Sequence, residues 1–497
     1  MKKGYLFLAI LLLLVSLSFA KNPVTVGPGG DFANIQPAIA SWCTGGANAS
    51  ETPPFIINVN PAGSPYVERL TLDNLEIGNG NIVGDLIIQT AIPGTYPYVA
   101  LQQGLTVVTA VTTSGCKIFQ ADKNVTIDGL LFMPSLTAPT MSGYWFWVDE
   151  NAASGFDTMT FKNCLFTQID SGGNPIVTSR AAAYTAGTPA VPPISTARML
   201  HFYPDNGELK HLVVDNCTFY GAQEYSIVAY LSSNDDTVTI RNCCIAWGLS
   251  GYQVRLYGTT GVTTGATATI TGTDQTEGPD NCTVFIQQWS GDNHSLLLST
   301  GNNFCTLNLE KTIFSVLGPD LGAAGSNTRN ISGTSSWITN ISDCIVYNEG
   351  DGACVVEGAN SPQSWNRLTL HSSGIGVIFY LVAGTSSIAC RDCIFSGVGT
   401  VWDGTLQTGG IDVDYCAYVE NGPDAITLRS TTTPFQTDGS NIVTADPMYL
   451  NRNFTSAQFM DVTNTEYEAK GTAGSDLAGG ADYAPPTRVY YSWSLYE

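Results

Sequence analysis

The chain has 497 residues, 13 cysteines and a formal net charge of −22, with only 12% charged side chains. Average proteins carry roughly 25%, and Gly, Thr, Ser and Asn stand in for the missing charge, which suits a turn-rich β protein. The charge excludes nucleic acid and anionic membranes as partners, since both require a basic footprint. It also opposes an acidic polysaccharide unless calcium or a local basic patch intervenes; no other cofactor is indicated.

Lys2 and Lys3 precede an apolar run from Tyr5 to Val15, and Ser18 and Ala20 are small residues at a cleavage-site spacing. Residues 1–20 are therefore expected to be a signal peptide, leaving a secreted or cell-surface protein that does not insert in the membrane after cleavage. The run Gly374 to Gly384 is too short to span a bilayer and reads as strand and turn. From Val24 to Ile39 the chain reads Val-Thr-Val-Gly-Pro-Gly-Gly-Asp-Phe-Ala-Asn-Ile-Gln-Pro-Ala-Ile. This segment resembles the opening of pectin methylesterases and related pectin-lyase-like β-helix proteins, in which a first strand is followed by a capping helix. The residues suit that role. Asn34 is a good N-cap, Pro37 falls at the third helical position, where a missing N–H costs little, and Phe32, Ile35, Ile39 and Trp42 share an apolar face. The stretch from Phe55 to Leu72 resembles the family's first coil.

A short cassette then recurs: an alternating strand, Asn or Asp, Cys, and a second apolar stretch. Clear copies centre on Asn163-Cys164, Asn216-Cys217, Asn242-Cys243, Asp343-Cys344 and Asp392-Cys393. Weaker copies place Gly129, Thr312, Ser373 and Cys416 at the cysteine position; the register of Asn281-Cys282 stays open. Alternation sends Phe161, Val214 and Ile240 to one face. The Asn or Asp turns the chain through a left-handed conformation, and Phe166, Phe219 and Phe395 point inward again. Such a unit cannot bury its own apolar face, so copies must stack. The fold class is an all-β, right-handed parallel β-helix with a short N-terminal capping helix, over residues 21–483, followed by a tail at 484–497. Segments from Ala445 to Leu450 and Tyr467 to Tyr483 resemble the ends of bacterial β-helix proteins.

The cassette predicts a ladder of buried cysteines that includes both members of Cys390-Arg391-Asp392-Cys393, against a redox or zinc reading of that C-x-x-C. In an oxidising compartment, disulfides involving Cys43, Cys116, Cys305 or Cys354 remain open. His201, His211 and His371 are scattered without metal-ligand spacing, and His371 is expected to point outward.

The resemblance does not extend to catalytic motifs. The Gln-Asp-Thr and Asp-Phe-Ile-Phe-Gly segments of pectin methylesterases and the Arg-x-Pro-x-x-Arg of pectate lyases are missing. Of the polygalacturonase motifs only an Asp-Asp, Asp235-Asp236, is present. This pair is the catalytic candidate, as an acid and a base with split pKa values, beside the plainer reading of a turn before a strand. Asp292-Asn293-His294 is a weaker match. For a ligand, Tyr144-Trp145-Phe146-Trp147 is the better clue. Strict alternation puts Trp145 and Trp147 on the face opposite Tyr144 and Phe146; either one pair faces outward, or the segment is a strand buried on both faces beneath a loop. Arg180, Arg198 and Arg255 provide local positive charge, and the insertion from Ser171 to Ala197 is either one wall of a groove or a surface loop. These residues define a polysaccharide or cell-surface glycan as the expected partner. Two functions follow: a non-catalytic glycan-binding or structural protein, or a polysaccharide-degrading lyase, hydrolase or esterase with a non-standard active site. Oligomeric state is not legible.

Overall fold

The computed structural model describes residues 21–71, 82–102, 116–119, 123–136, 144–149, 158–189, 198–203, 211–233, 235–249, 251–258, 265–273, 282–288, 294–300, 305–317, 329–333, 337–348, 354–357, 363–372, 377–380, 388–397, 400–403, 411–418 and 436–437. Residues 1–20, where a signal peptide is expected, the 484–497 tail and the C-terminal segments from Ala445 onward lie outside them.

The chain is a right-handed parallel β-helix, with every strand pairing parallel to its equivalent in the next coil. Three faces result. The first carries strands such as Thr158–Lys162, His211–Asp215 and Thr237–Arg241. The second carries Leu165–Thr167, Thr218–Tyr220 and Cys244–Ala246. The third carries Arg198–Tyr203, Ile227–Leu231 and Tyr252–Gly258. The cassette builds the tight corner between the first and second faces; longer connections join the second to the third and the third to the first.

Register aligns like with like. On the first face, Ile88, Ile127, Phe161, Val214, Ile240 and Ile270 form an inward row. On the second, Phe132, Phe166 and Phe219 stack with ring centroids 5.3 and 4.5 Å apart, and Phe285 lies 4.7 Å from Phe314. Each buried Phe contributes about 1.5–3 kcal/mol by leaving water, and each ring pair adds roughly 0.5–1.5 kcal/mol.

The corner takes the expected conformation. Asn163, Asn216, Asn242, Asp343 and Asp392 have φ of 50, 50, 54, 53 and 57°. Rather than to backbone, three of them bond side chain to side chain along the ladder: Asn163, Asn216, and Asp343, which accepts from Nε and Nη2 of Arg367, the turn residue of the next coil. Asn163 Nδ2 donates to Asp128 Oδ1 at 2.8 Å, and Asn216 Nδ2 donates to Asn163 Oδ1 at 2.7 Å. Asn242 Oδ1 does accept from a backbone group, the Thr273 N–H. We expect Asn216→Ala to cost about 1 kcal/mol in chemical denaturation, through left-handed strain and the lost bond. Asn216→Gly should recover most of the strain component. An unchanged midpoint in the alanine variant would remove the ladder's energetic role.

Cys164, Cys217, Cys243, Cys344 and Cys393 are all buried and occupy the position after the turn. The Cys164 N–H donates to Cys217 Sγ at 3.4 Å, and the Cys393 N–H to Cys416 Sγ at 3.4 Å, so the thiols connect one coil to the next. Cys390 stands in the row of Phe161 and Ile240 and is buried. Cys43 and Cys305 are free thiols; the side chains of Cys116 and Cys354 lie outside the described set.

Several registers need correction. Gly129 holds the turn itself, with φ of 73°, and Leu130 takes the cysteine position. Ser373 lies outside the described residues; in its coil Leu368 pairs with Cys344 and so takes the cysteine position, and Arg367 makes the turn at φ 51°. Thr312 and Cys416 do stand at the cysteine position, after Lys311 and Tyr415 at φ 47 and 50°. Thr283, not Cys282, aligns with Cys243 and Thr312. His371 is buried rather than outward, because the corner comes at Arg367 and carries His371 onto the second face, stacked on Tyr347 at 5.4 Å.

A helix α1, Ile35–Ser41, closes the first coils, with Pro37 at its third position. Ile35, Ile39 and Trp42 are buried and Phe32 packs against them; Trp42 stacks on Phe55 at 4.8 Å. Asn34 has the N-cap backbone conformation but makes no side-chain cap. The buried carboxylate of Glu68 replaces it, accepting from the Ile35 and Gln36 N–H groups at 2.8 Å each. Helix and first coil are thereby joined at a point the local sequence does not reveal.

Candidate functional site

At the corner leading into the third face the strict alternation breaks. Tyr144 pairs with Arg198 and Phe146 with Leu200, but the residues between them, Trp145 and Met199, also turn into the core. Trp145 is 1% exposed and belongs to that core. It is therefore not a surface ligand contact, and the expected pairing of Trp145 with Trp147 on one face is corrected. Gln253 shows the same geometry two coils beyond Met199. It is buried, and its Nε2 donates to the Ile245 and Ile286 carbonyls of the second face at 3.1 and 2.7 Å.

Past this corner the third face presents three outward rows. The first contains Tyr144, Arg198, Tyr225, Tyr252 and His294. Arg198 lies over Tyr144 at 5.1 Å and Tyr225 at 4.9 Å, Tyr225 is 5.9 Å from Tyr252, and Tyr252 is 4.7 Å from His294. The second contains the Trp147 backbone position, His201, Val228, Arg255 and Leu297; the Trp147 side chain lies outside the described set. The third contains Tyr203, Tyr230 and Tyr257, with centroids 4.6 and 4.3 Å apart, the latter pair only 5° from parallel. Because Tyr230 and Tyr257 stack face to face, it is their edges and hydroxyls that face away from the stack. None of the Tyr203, Tyr230 and Tyr257 hydroxyls is held by another group of the described residues.

The charges here are held differently. Arg198 forks onto Glu224, Nε to Oε2 at 2.9 Å and Nη2 to Oε1 at 3.0 Å, and its Nη1 donates to the Tyr144 hydroxyl. Burial raises the Tyr144 hydroxyl's pKa against the opposing pull of Arg198. His201 is buried among Tyr144, Tyr203 and Tyr230. Burial, with repulsion from Arg198, lowers its pKa to about 3, so it is neutral at ordinary pH. Arg255 donates from Nη1 to the Tyr225 hydroxyl at 2.9 Å and lies over Tyr257 at 4.1 Å.

The structure thus brings Tyr144, Arg198 and Arg255 together, with the Trp147 backbone beside them. It separates Arg180, which sits in α2, Arg180–Thr185. Arg180 donates to the carbonyls of Asn242 and Cys282 and to the Tyr184 hydroxyl. Helix α2 packs against the second face through Tyr184 and Ala183, and Trp247 Nε1 donates to the Ala183 carbonyl at 2.7 Å. The described part of the 171–197 insertion is therefore a cover for the second face, not a wall beside Tyr144.

Asp235 and Asp236 do not act as a facing pair. Asp235 is exposed. Asp236 is 0% exposed, and its carboxylate accepts from the Ser232 and Ser233 N–H groups at 2.6 and 2.8 Å and from the Ser233 hydroxyl at 2.6 Å. It closes the turn from the third face to the first. Asp292 and Asn293 lie outside the described residues, whereas His294 stacks on Tyr252.

The residues missed in the sequence had a signal. Arg198 and Tyr203, Tyr225 and Tyr230, and Tyr252 and Tyr257 share one spacing in consecutive coils. Comparison with protein-family models, curated proteins and solved structures found no match for this chain.

Proposed function

We propose that the chain is an exported, pectin-lyase-like β-helix protein that binds a polysaccharide or cell-surface glycan on the outer side of its third face without processing it. The observation that carries this reading is the set of three outward rows, in which Tyr203, Tyr230 and Tyr257 present unengaged hydroxyls beside Arg198, Arg255 and Tyr252. Such edges and hydroxyls suit sugar hydroxyls, and the rows repeat every coil, about 4.8 Å apart, as a polymer requires. The rings are already packed on one another, so binding orders little that is not ordered beforehand. Catalysis finds less support. The Asp236 carboxylate is committed to its own turn and that of Glu224 to Arg198, leaving neither poised as an acid or base toward a ligand.

The test is retention of the folded protein on a panel of immobilised polysaccharides, with product release monitored in parallel. We expect binding without release, and at least a tenfold weakening in Tyr230→Ala with Tyr257→Ala at an unchanged unfolding midpoint. Undiminished binding in that variant would move the site elsewhere. Released oligosaccharide would replace this reading with the enzymatic one.

A further inference from the structure

Arginine pairing is not uniform in this acidic chain. Arg241 forks onto Asp215, with Nε to Oδ1 at 3.0 Å and Nη2 to Oδ2 at 2.6 Å. Arg367 forks onto Asp343, both contacts at 2.6 Å, and Arg198 forks onto Glu224. Among the described residues Arg255 has no such partner. Its single hydrogen bond goes to the neutral hydroxyl of Tyr225. Its guanidinium is enclosed by rings: Tyr257 at 4.1 Å, Tyr225 at 5.6 Å and Tyr252 at 5.7 Å. Its Nε is buried with no acceptor, whereas Nη2 is neither buried nor bonded among the described residues.

An arginine held in this way costs stability. A buried N–H without an acceptor forfeits the hydrogen bond it made to water, and a guanidinium among phenols has lost part of its hydration without gaining a counter-charge among the described residues. The ring contacts and the Tyr225 bond return some of that and fix the plane of the fork. What remains is an oriented, unneutralised cation whose open edge is Nη2, at the centre of the three outward rows. Arg198 is already neutralised by Glu224, and Arg180 is turned onto carbonyls of another face.

We propose that Arg255 is a receptor for a single oxyanion carried by the glycan, a carboxylate or a sulfate ester, and that the third face therefore selects anionic over neutral polymers. This rests on the glycan-binding reading above and narrows it. A protein of net charge −22 repels such a polymer at long range. Capture then depends on one desolvated, charge-assisted contact rather than on a basic field.

The experiment uses one backbone with three substituents: plain dextran, carboxymethyl-dextran and dextran sulfate, immobilised at equal density, with the full mature chain in solution. We expect retention on one or both charged matrices and none on plain dextran; which of the two retains the protein identifies the oxyanion. Arg255→Gln should weaken retention at least tenfold, and Arg255→Lys should recover part of it. Arg241→Gln removes the same charge from the first face and should leave retention unchanged, separating a local contact from net charge. Unfolding midpoints of all variants report folding. Equal retention of Arg255→Gln and the parent, equal loss in Arg241→Gln, or no retention on either charged matrix overturns the proposal. If neutral polysaccharides of the wider panel bind and depend on Tyr230 and Tyr257, the glycan-binding reading survives that failure; if nothing binds, both fall.

Discussion

Cys217→Asp should unfold the middle of the coil stack, at a cost on the order of 4 kcal/mol or more. Cys217 is 0% exposed, and its Sγ accepts the Cys164 N–H and donates to the Asp215 carbonyl at 3.3 Å. Its neighbours in the ladder are Cys164 and Cys243, whose thiols are equally enclosed. Burial pushes the Cys217 thiol well above its ordinary pKa, so this site tolerates no negative charge. A carboxylate placed there must stay ionised without a counter-ion or take up a proton in an apolar environment, and both are expensive. Cys217→Ala keeps the site neutral and should cost far less, at the scale of a small core truncation. Urea denaturation separates the two, with the m-value showing whether the stack still unfolds as a unit. Comparable midpoints for the aspartate and alanine variants would contradict the buried register of the ladder.

Acid should destabilise the third face through His201. Its folded pKa of about 3 lies far below the unfolded value of 6.5, chiefly because burial disfavours the imidazolium and secondarily because Arg198 repels it. Between those two values the unfolded chain binds a proton that the folded chain refuses, so stability falls as pH drops from about 6.5 toward 3. Over the whole window the loss is on the order of 4 kcal/mol. Tyr144, Tyr203 and Tyr230 pack around the ring and keep it from water. His201→Phe retains the ring packing and removes the titration. Its unfolding midpoint should therefore fall less steeply between pH 6.5 and 4 than that of the parent, the difference isolating His201 from the carboxylates that titrate in the same range. Parallel curves would show that His201 is hydrated in solution.

The two effects differ in how far they can be read from the chain. The Cys217 prediction follows from local pattern: the alternating strand, an Asn tolerant of the left-handed region, a small apolar residue and an inward Phe recur often enough to set the register. The same pattern misplaced Ser373 and left Cys282 open. At the first of those coils the turn residue is Arg367, which has no intrinsic preference for turning; at the second the first-face strand ends at Thr271 and the second-face strand begins at Thr283, so a longer connection replaces the tight corner. In both, pairing with the neighbouring coils sets the register. His201 illustrates the opposite case. Its burial comes from Tyr144, Tyr203 and Tyr230 on three coils, contacts that no local window contains.

The candidate site divides along the same line. Arg198, Arg255 and Tyr144 were recognisable as aromatic and cationic residues in one stretch of chain, but Trp145 was grouped with Trp147 as a ligand candidate by an alternation that fails where the chain turns a corner. Arg180 looked equivalent to the other two arginines until α2 carried it to the second face. Asp235 and Asp236 looked like a carboxylate pair until Asp236 was found folded into its own turn.

By itself the sequence determined the repeating unit, its inward rows, the left-handed corner and the plug of apolar residues at the first coils, because each depends on residues within one coil and on a period that must match the next. Tertiary structure alone decided which arginines of the described residues meet a carboxylate, which aromatic ring faces outward, and that Glu68 rather than Asn34 caps α1. Those outcomes depend on stacking. Residues one coil apart in sequence come to lie about 4.8 Å apart in space, and whether a side chain meets a carboxylate, a phenol or the core there is a property of its neighbours rather than of its own segment.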